Sequence, residues 1–120
     1  MTGKIVWTDL TVNDAESVRD FYESVMGWTH HGVEMGEYKD YEMKQPENGE
    51  TVTGICHARG VNAKLPPQWM VYFQVADVAL SAQKCIEGGG KIIDGPRPMG
   101  KQQFCVIQDP AGAVAGLIGE

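Results

Sequence analysis

The feature that most constrains this chain is an internal repeat with a fixed offset. Val12 and Asp14 recur as Val75 and Asp77, each 63 positions later (75 − 12 = 77 − 14 = 63). In both copies a short apolar strand leads into an aspartate that can cap the N-terminus of a helix. A fixed period in a chain of 120 residues indicates two copies of one supersecondary unit, because neither copy can bury its apolar face alone.

The first copy reads as one strand, one helix and three further strands. The predicted segments are a strand over 4–12, a helix over 14–27, and strands over about 28–34, 39–45 and 51–59. Apolar residues at i, i+3, i+4 and i+7 of the helix predict its buried stripe, which is Val18, Phe21, Tyr22 and Val25. Module one therefore covers residues 1–60, and the paired prolines of the linker 61–67 end it.

The second copy, module two, covers residues 68–120 and repeats this order. Its helix starts at Asp77, ends at three glycines, and has a predicted buried stripe of Val78, Ala82, Cys85 and Ile86. Strands are predicted over 68–75, 91–94, 102–108 and 113–118, with a type I turn at 109–112. The predicted fold is α+β, a single domain over 1–120 built from two βαβββ modules.

Composition limits the function further. A net charge of −6 disfavours nucleic acid and anionic membranes as partners and favours a neutral or cationic small molecule. No apolar run approaches the roughly 20 residues of a membrane helix, and no signal-peptide core follows Met1. We therefore expect a cytoplasmic location. Three cysteines without a C-x-x-C pair indicate reduced thiols.

In order along the chain, several motifs resemble the vicinal oxygen chelate superfamily, the group of glyoxalases, bleomycin-resistance proteins and extradiol dioxygenases. They are D-x-x-x-x-x-x-F-Y-x-x-x-x-G at 14–27, W-x-V-Y-x-x-V-x-D-V at 69–78, the glycines at 88–90, Gly95-Pro96, and D-P-x-G at 109–112. The resemblance implies that each module curls into half of a cup that holds one site. It also implies a homodimer, in some members with modules exchanged between chains.

The superfamily's enzymes hold a divalent metal ion through side chains on the first and last strand of each module. Alignment of the two copies places Trp7, Gly54, Met70 and Gly116 at those four positions. A catalytic metal site needs about three His, Glu, Asp or Cys ligands, so we predict no metal and no cofactor. Asp9 and Cys56 could converge as a displaced site, but two ligands make a poor catalytic set. The adjacent His30 and His31 point to opposite faces of their strand and cannot chelate together.

An apolar, aromatic cup then remains as the predicted site. Its predicted ligand-binding residues are Trp7, Asp9, Gly54, Cys56, Met70, Tyr72, Gln74 and Gly116. Tyr41 and Phe104 are corresponding bulky positions whose face strand alternation leaves open. The opposing interpretation is that these side chains simply fill the space by dense packing. Glycine at two facing strand positions favours a cavity, because a ligand could approach the backbone there.

Three residues have both a functional and a structural interpretation. Asp9 beside Trp7 would attract a cationic ligand, with a cation–π contribution from the indole, or it is a solvated carboxylate. Cys56 is a nucleophile only if its thiolate is stabilised; with no basic residue on its face, a buried thiol is favoured. Arg97 is placed on a loop after Gly95-Pro96, as an anion clamp at the rim or as ordinary surface charge.

Two classes of function follow. The first is a binding protein that sequesters a small organic ligand, cationic or aromatic, in a metal-free cup, as in the bleomycin-resistance branch. The alternative is a metal-dependent lyase or isomerase of the glyoxalase type, in which a metal polarises a substrate oxygen. The absence of ligands at the four positions counts against this alternative, and fold alone does not establish activity.

Overall fold

The computed structural model describes residues 2–120. Their first half contains one helix and four strands in the order βαβββ: β1 Ile5–Val12, α1 Ala15–Met26, β2 Thr29–Glu34, β3 Lys39–Lys44 and β4 Thr51–His57. A single 3-10 turn at Gly60–Asn62 lies in the linker. The second half repeats the order: β5 Trp69–Val75, α2 Val78–Glu87, β6 Lys91–Met99, β7 Gln102–Gln108 and β8 Val114–Gly119. The predicted α+β class with two βαβββ repeats is confirmed.

The described residues form two compact units whose boundary falls inside β1. The first unit is Asp9–Trp69, and the second unit comprises the residues up to Thr8 together with Met70–Glu120. In the first unit the strand order is β2-β3-β4-β1, with β1 and β4 parallel. In the second unit the order is β5-β8-β7-β6, with β5 and β8 parallel. In that unit Gly3 and Lys4 exchange backbone hydrogen bonds with Gln74.

Helix α1 is capped as its sequence predicts but presents a different face to the sheet. The Asp14 carboxylate accepts a hydrogen bond from the Ser17 amide, and Gly27 adopts φ 78°, the left-handed conformation that ends a helix. The predicted stripe is wrong in part, because Phe21 and Val25 are 59% and 60% exposed.

The packed face of α1 lies at Ala15, Val18, Arg19 and Tyr22 instead. Three of these contact the core of Tyr41, Met43 and Ile55. The fourth, Arg19, holds its guanidinium 4.6 Å from the centroid of the Tyr41 ring. The helical pattern predicts an apolar residue at this packing position, and the aliphatic part of the Arg19 side chain takes that place.

Helix α2 packs through Val78 and Ala82 onto Cys105 and Leu117. The Asp77 carboxylate accepts from the Leu80 amide, which confirms the predicted cap. Ile86, predicted to be buried, is 60% exposed, because a helix of only ten residues turns its last positions past the edge of the core. The predicted turn at 109–112 is closed by the hydrogen bond from the Gly112 amide to the Asp109 carbonyl.

Strand β6 is longer than predicted. It runs through Gly95 and Pro96 to Met99, with irregular register against β7 between Ile92 and Asp94 and again between Asp94 and Arg97. These irregularities let the strand continue past a glycine and a proline. Arg97 was predicted to lie on a loop, and this is wrong: it pairs with Phe104 inside the sheet.

No helix among residues 2–120 is long and apolar enough to cross a membrane.

Candidate functional site

In the first unit, the strand face turned away from α1 carries a cluster of acidic groups and a thiol. Asp9 lies opposite Gly54 across β1 and β4, and Thr11 lies opposite Cys56. The missing Gly54 side chain leaves Asp9 Cβ and Cys56 Sγ 3.5 and 3.7 Å from where its Cβ would stand. Since Tyr41 faces the helix, alternation places its neighbour Asp40 on the same face as Cys56. We call this set, Asp9, Thr11, Asp40, Gly54 and Cys56, the acidic face.

The electrostatics of the acidic face hold Cys56 in its thiol form. Burial raises the pKa of the Cys56 thiol, and the negative charges of Asp9 and Asp40 and a hydrogen bond to Asp40 raise it further. Asp40 itself is 7% exposed and accepts a hydrogen bond from the His57 amide at 2.8 Å. Only the thiolate is a good nucleophile, so the raised pKa of Cys56 disfavours a role in covalent catalysis. This agrees with the buried-thiol interpretation of the sequence.

Alkylation of the folded protein by iodoacetamide near pH 8.5 is expected to spare Cys56 and Cys105. Burial, followed by the influence of Cys85 and Asp94, raises the pKa of Cys105 to about 11. The unfolded thiols ionise near pH 8.5, so in urea all three cysteines should react. The same difference makes folding less favourable as pH rises above about 8.5, since the unfolded chain then holds fewer protons. Peptide mass spectrometry measures each site; rapid labelling of Cys56 in folded protein would contradict the electrostatic argument.

In the second unit, the strand face turned away from α2 is aromatic. A Cβ on Gly116 would lie 2.5 Å from Cδ2 of Tyr72, so the tyrosine ring occupies the space above the glycine. The Tyr72 ring stacks on Phe104 with centroids 5.6 Å apart and planes at 27°. Arg97 places its guanidinium 4.7 Å from the Phe104 centroid on the same face. We call this set, Tyr72, Asp94, Arg97, Phe104 and Gly116, the aromatic face.

The two equivalent glycines, Gly54 and Gly116, have different surroundings on the two faces. Asp9 lies opposite Gly54 in the first unit, and Tyr72 lies opposite Gly116 in the second. Gly54 therefore faces small polar groups, whereas Gly116 exists to accommodate a ring. A ligand reaching the Gly116 position meets the Tyr72 ring rather than bare backbone.

Beside the aromatic face, the second unit contains a cavity of about 370 Å³. It is lined by Gln74, Val75, Ala76, Gln102, Gly119 and Glu120. Two amide side chains and a carboxylate give it several donors and acceptors. Gln74 is one of the residues that the sequence predicts to bind a ligand.

The remaining predicted site residues differ in how far their side chains are exposed to solvent. Met70 is 3% exposed and belongs to the buried part of the second unit, whereas Trp7 is 37% exposed. The structure brings together Asp9, Gly54 and Cys56 in the first unit, and Tyr72 with Gly116 in the second. Sequence reasoning missed Asp40 and Gln102. Asp40 directly precedes Tyr41 in β3, and Gln102 alternates with Phe104 in β7. The correct strand register would therefore have identified both.

The structure decides the face of Tyr41, which packs in the core beneath α1 and not on the acidic face. Its hydroxyl donates to the Glu16 carboxylate at 2.6 Å, and His57 Nε2 lies 3.1 Å from the same carboxylate. This hydrogen bond from Tyr41 is the main reason why the pKa of Glu16 is lowered. Tyr41 pairs with Ile55 and Phe104 with Ile118, so the two rings occupy different register positions. The contacts of Glu16 with Tyr41 and His57 hold α1 against β3 and β4.

His30 and His31 likewise form no chelating pair. His30 Nδ1 lies 2.7 Å from the Glu23 carboxylate on α1, and its ring packs edge-on against Tyr41. Its role is to hold β2 against the helix.

The positions assigned to metal ligands by the resemblance do not fit a metal ion. Trp7, Gly54, Met70 and Gly116 offer one thioether among them, and the Tyr72 ring covers Gly116. Across residues 2–120, no three His, Cys, Asp or Glu side chains converge in a way that could hold an ion.

Comparison with known proteins gives a consistent family match. A family model described as "Glyoxalase/Bleomycin resistance protein/Dioxygenase superfamily" matches residues 4–115. "Putative glyoxylase CFP32" of Mycobacterium tuberculosis is 30% identical over 118 residues, covering 98% of this chain and 44% of the relative. "Anthracycline biosynthesis protein DnrV" of Streptomyces peucetius is 24% identical, covering 92% of this chain and 39% of the relative. The chain thus spans less than half the length of these curated relatives.

Solved structures share the fold at low sequence identity. A variant of Streptomyces coelicolor methylmalonyl-CoA epimerase, in complex with 2-nitronate-propionyl-CoA, superposes with a TM-score of 0.59 at 16% identity, covering 100% of this chain and 99% of the epimerase. A glyoxalase/bleomycin resistance protein/dioxygenase superfamily member from Vibrio splendidus superposes with a TM-score of 0.61 at 14% identity, covering 99% and 100%. At these identities the likeness concerns the fold alone.

Proposed function

Because the chain belongs to the glyoxalase/bleomycin resistance protein/dioxygenase superfamily, we propose that it binds a small organic ligand without a resident metal ion. The observation that carries this proposal is the cavity of about 370 Å³ in the second unit. Its volume falls within the range of about 300–1,000 Å³ that is typical of small-molecule sites. Gln74, Gln102 and Glu120 supply the polar contacts that fix the orientation of a ligand.

The charges favour a ligand with a cationic or aromatic group. On the acidic face, Asp9 and Asp40 lie close enough to Cys56 to raise the pKa of its thiol. The same negative potential stabilises a cationic group at the acidic face. The metal-dependent lyase or isomerase of the same superfamily is the competing function, and the donor set at the four assigned positions disfavours it. We further expect a homodimer, as the resemblance implies.

The first measurement is the metal content of protein purified without chelator, followed by calorimetric titration with Zn²⁺, Ni²⁺, Mn²⁺ and Fe²⁺. We expect no stoichiometric binding. One tightly bound ion per chain, lost on Asp9→Asn or Cys56→Ala substitution, would overturn the metal-free proposal and favour the lyase or isomerase.

The second measurement is a binding titration with benzyltrimethylammonium, a cationic aromatic probe. We expect Gln74→Ala to weaken binding about fivefold, equivalent to one lost hydrogen bond of about 1 kcal/mol. Gln83→Ala is the matched control, because Gln83 lies on the exposed side of α2 and its amide donates to Glu87 of the same helix. If Gln74→Ala binds the probe as the unmodified protein does, the cavity is not the site.

A further inference from the structure

Arg97 is held in one orientation by two contacts, one of them with a buried aromatic stack. Its Nε donates to the Asp94 carboxylate at 3.0 Å, and its guanidinium lies 4.7 Å from the centroid of the Phe104 ring. Phe104 is 3% exposed and stacked on Tyr72, and Tyr72 lies against Gly116. The support below the guanidinium is therefore a buried aromatic stack that leaves the arginine little rotational freedom.

The contacts of Arg97 leave one edge of its guanidinium available. The ion pair with Asp94 uses Nε alone, so the two terminal nitrogens, Nη1 and Nη2, take no part in it. Arg19, by contrast, directs both Nε and Nη2 to Asp20. The Arg97 side chain is 26% exposed, so the charged group is neither sealed in the core nor freely solvated.

An arginine arranged in this way matches the geometry of a carboxylate. The Nη1 and Nη2 edge presents two parallel N–H groups that form a bidentate pair with two carboxylate oxygens. A guanidinium that is already oriented loses less entropy on binding than a flexible surface side chain. Lysine would satisfy a simple ion pair with Asp94 but could not offer the planar fork.

We propose that the Nη1 and Nη2 edge of Arg97 binds a carboxylate group of the ligand at the aromatic face of the second unit. The inference rests on the proposed function, since it names a chemical group of the same ligand. Asp94 neutralises much of the long-range charge of Arg97, so recognition depends on the two short hydrogen bonds. The site therefore distinguishes a carboxylate from an uncharged amide of the same shape.

The test uses benzoate and benzamide, two planar probes of nearly equal size that differ in charge. Each is titrated into ¹⁵N-labelled protein, and the backbone amides of β6 and β7 and the Arg97 Nε–H are followed by NMR. We expect benzoate to shift these signals and to bind at least about tenfold more tightly than benzamide. Arg97→Met is expected to abolish this preference, and Arg97→Lys to restore little of it.

Arg59→Met is the matched control. Arg59 also lies over an aromatic ring, 4.4 Å from the centroid of Tyr38, and also pairs with an acid, Glu37, at 3.6 Å. It belongs to the first unit, so its replacement should leave benzoate binding unchanged. Urea denaturation of each variant verifies that it is folded.

The outcomes separate this inference from the proposed function. If benzyltrimethylammonium binds and responds to Gln74→Ala, but benzoate binds no better than benzamide, the carboxylate site is overturned and the proposed function stands. Equal benzoate affinity in Arg97→Met and the unmodified protein also overturns it. If neither benzoate, benzamide nor the cation binds, both are overturned.

Discussion

Replacing Gly116 with alanine is expected to lower the free energy of unfolding by about 1–3 kcal/mol, the usual cost of overpacking a tightly filled interior. The added methyl group would stand 2.5 Å from Cδ2 and 2.7 Å from Cε2 of Tyr72. The ring must then move, and its stacking on Phe104 is lost with it. Urea denaturation followed by circular dichroism measures the change.

Gly54→Ala is the control for this substitution, because Gly54 occupies the equivalent position of the first unit. The nearest atoms to its added Cβ are Asp9 Cβ at 3.5 Å and the Tyr41 carbonyl oxygen at 3.6 Å, which is ordinary van der Waals contact. We expect a change between neutral and about 1 kcal/mol stabilising, since alanine reduces the entropy of the unfolded chain. Equal destabilisation by both substitutions would show that Tyr72 is not the cause.

Truncating Ile55 to alanine should lower the free energy of unfolding by about 2–5 kcal/mol. Ile55 is 0% exposed and packs against Ala15, Tyr41 and Met43 in the first unit. The neighbours are too constrained to fill the cavity completely. Chemical denaturation is again the measurement.

Ile86→Ala makes the same chemical change at a position that the helical pattern wrongly assigns to the core. Because Ile86 is 60% exposed, we expect its truncation to change stability by no more than about 0.5 kcal/mol. A loss comparable to that of Ile55→Ala would mean that Ile86 is buried, in agreement with the sequence pattern and against the structure.

The register of the strands explains why some site residues were predictable and others were not. The fixed offset of 63 positions matched Asp9 with Tyr72, and the structure places both opposite a glycine. Beyond the helices, the offset changes. Tyr41 pairs with Ile55, whose equivalent in the second unit pairs with Cys105, so Phe104 corresponds to Asp40 and not to Tyr41. Sequence reasoning therefore left the face of Tyr41 open and overlooked Asp40.

Arg97 illustrates a second limit of sequence reasoning. Glycine followed by proline normally indicates the end of a strand, so the sequence places Arg97 on a loop. The irregular register of β6 keeps the strand paired with β7 beyond these residues. The position of Arg97 over Phe104 depends on this pairing, which has no local sequence signal.

The sequence by itself determined the elements of this protein and their order. Strand alternation, aspartate caps and glycine stops are local properties, and they were sufficient to predict the two βαβββ repeats; the superfamily followed from the resemblance of the motifs. Only the tertiary structure decided which side chains fill the faces, because that depends on contacts between residues far apart in the chain. The Tyr72 ring lies over Gly116 and the Arg19 guanidinium lies over the Tyr41 ring, and periodicity alone predicts neither contact.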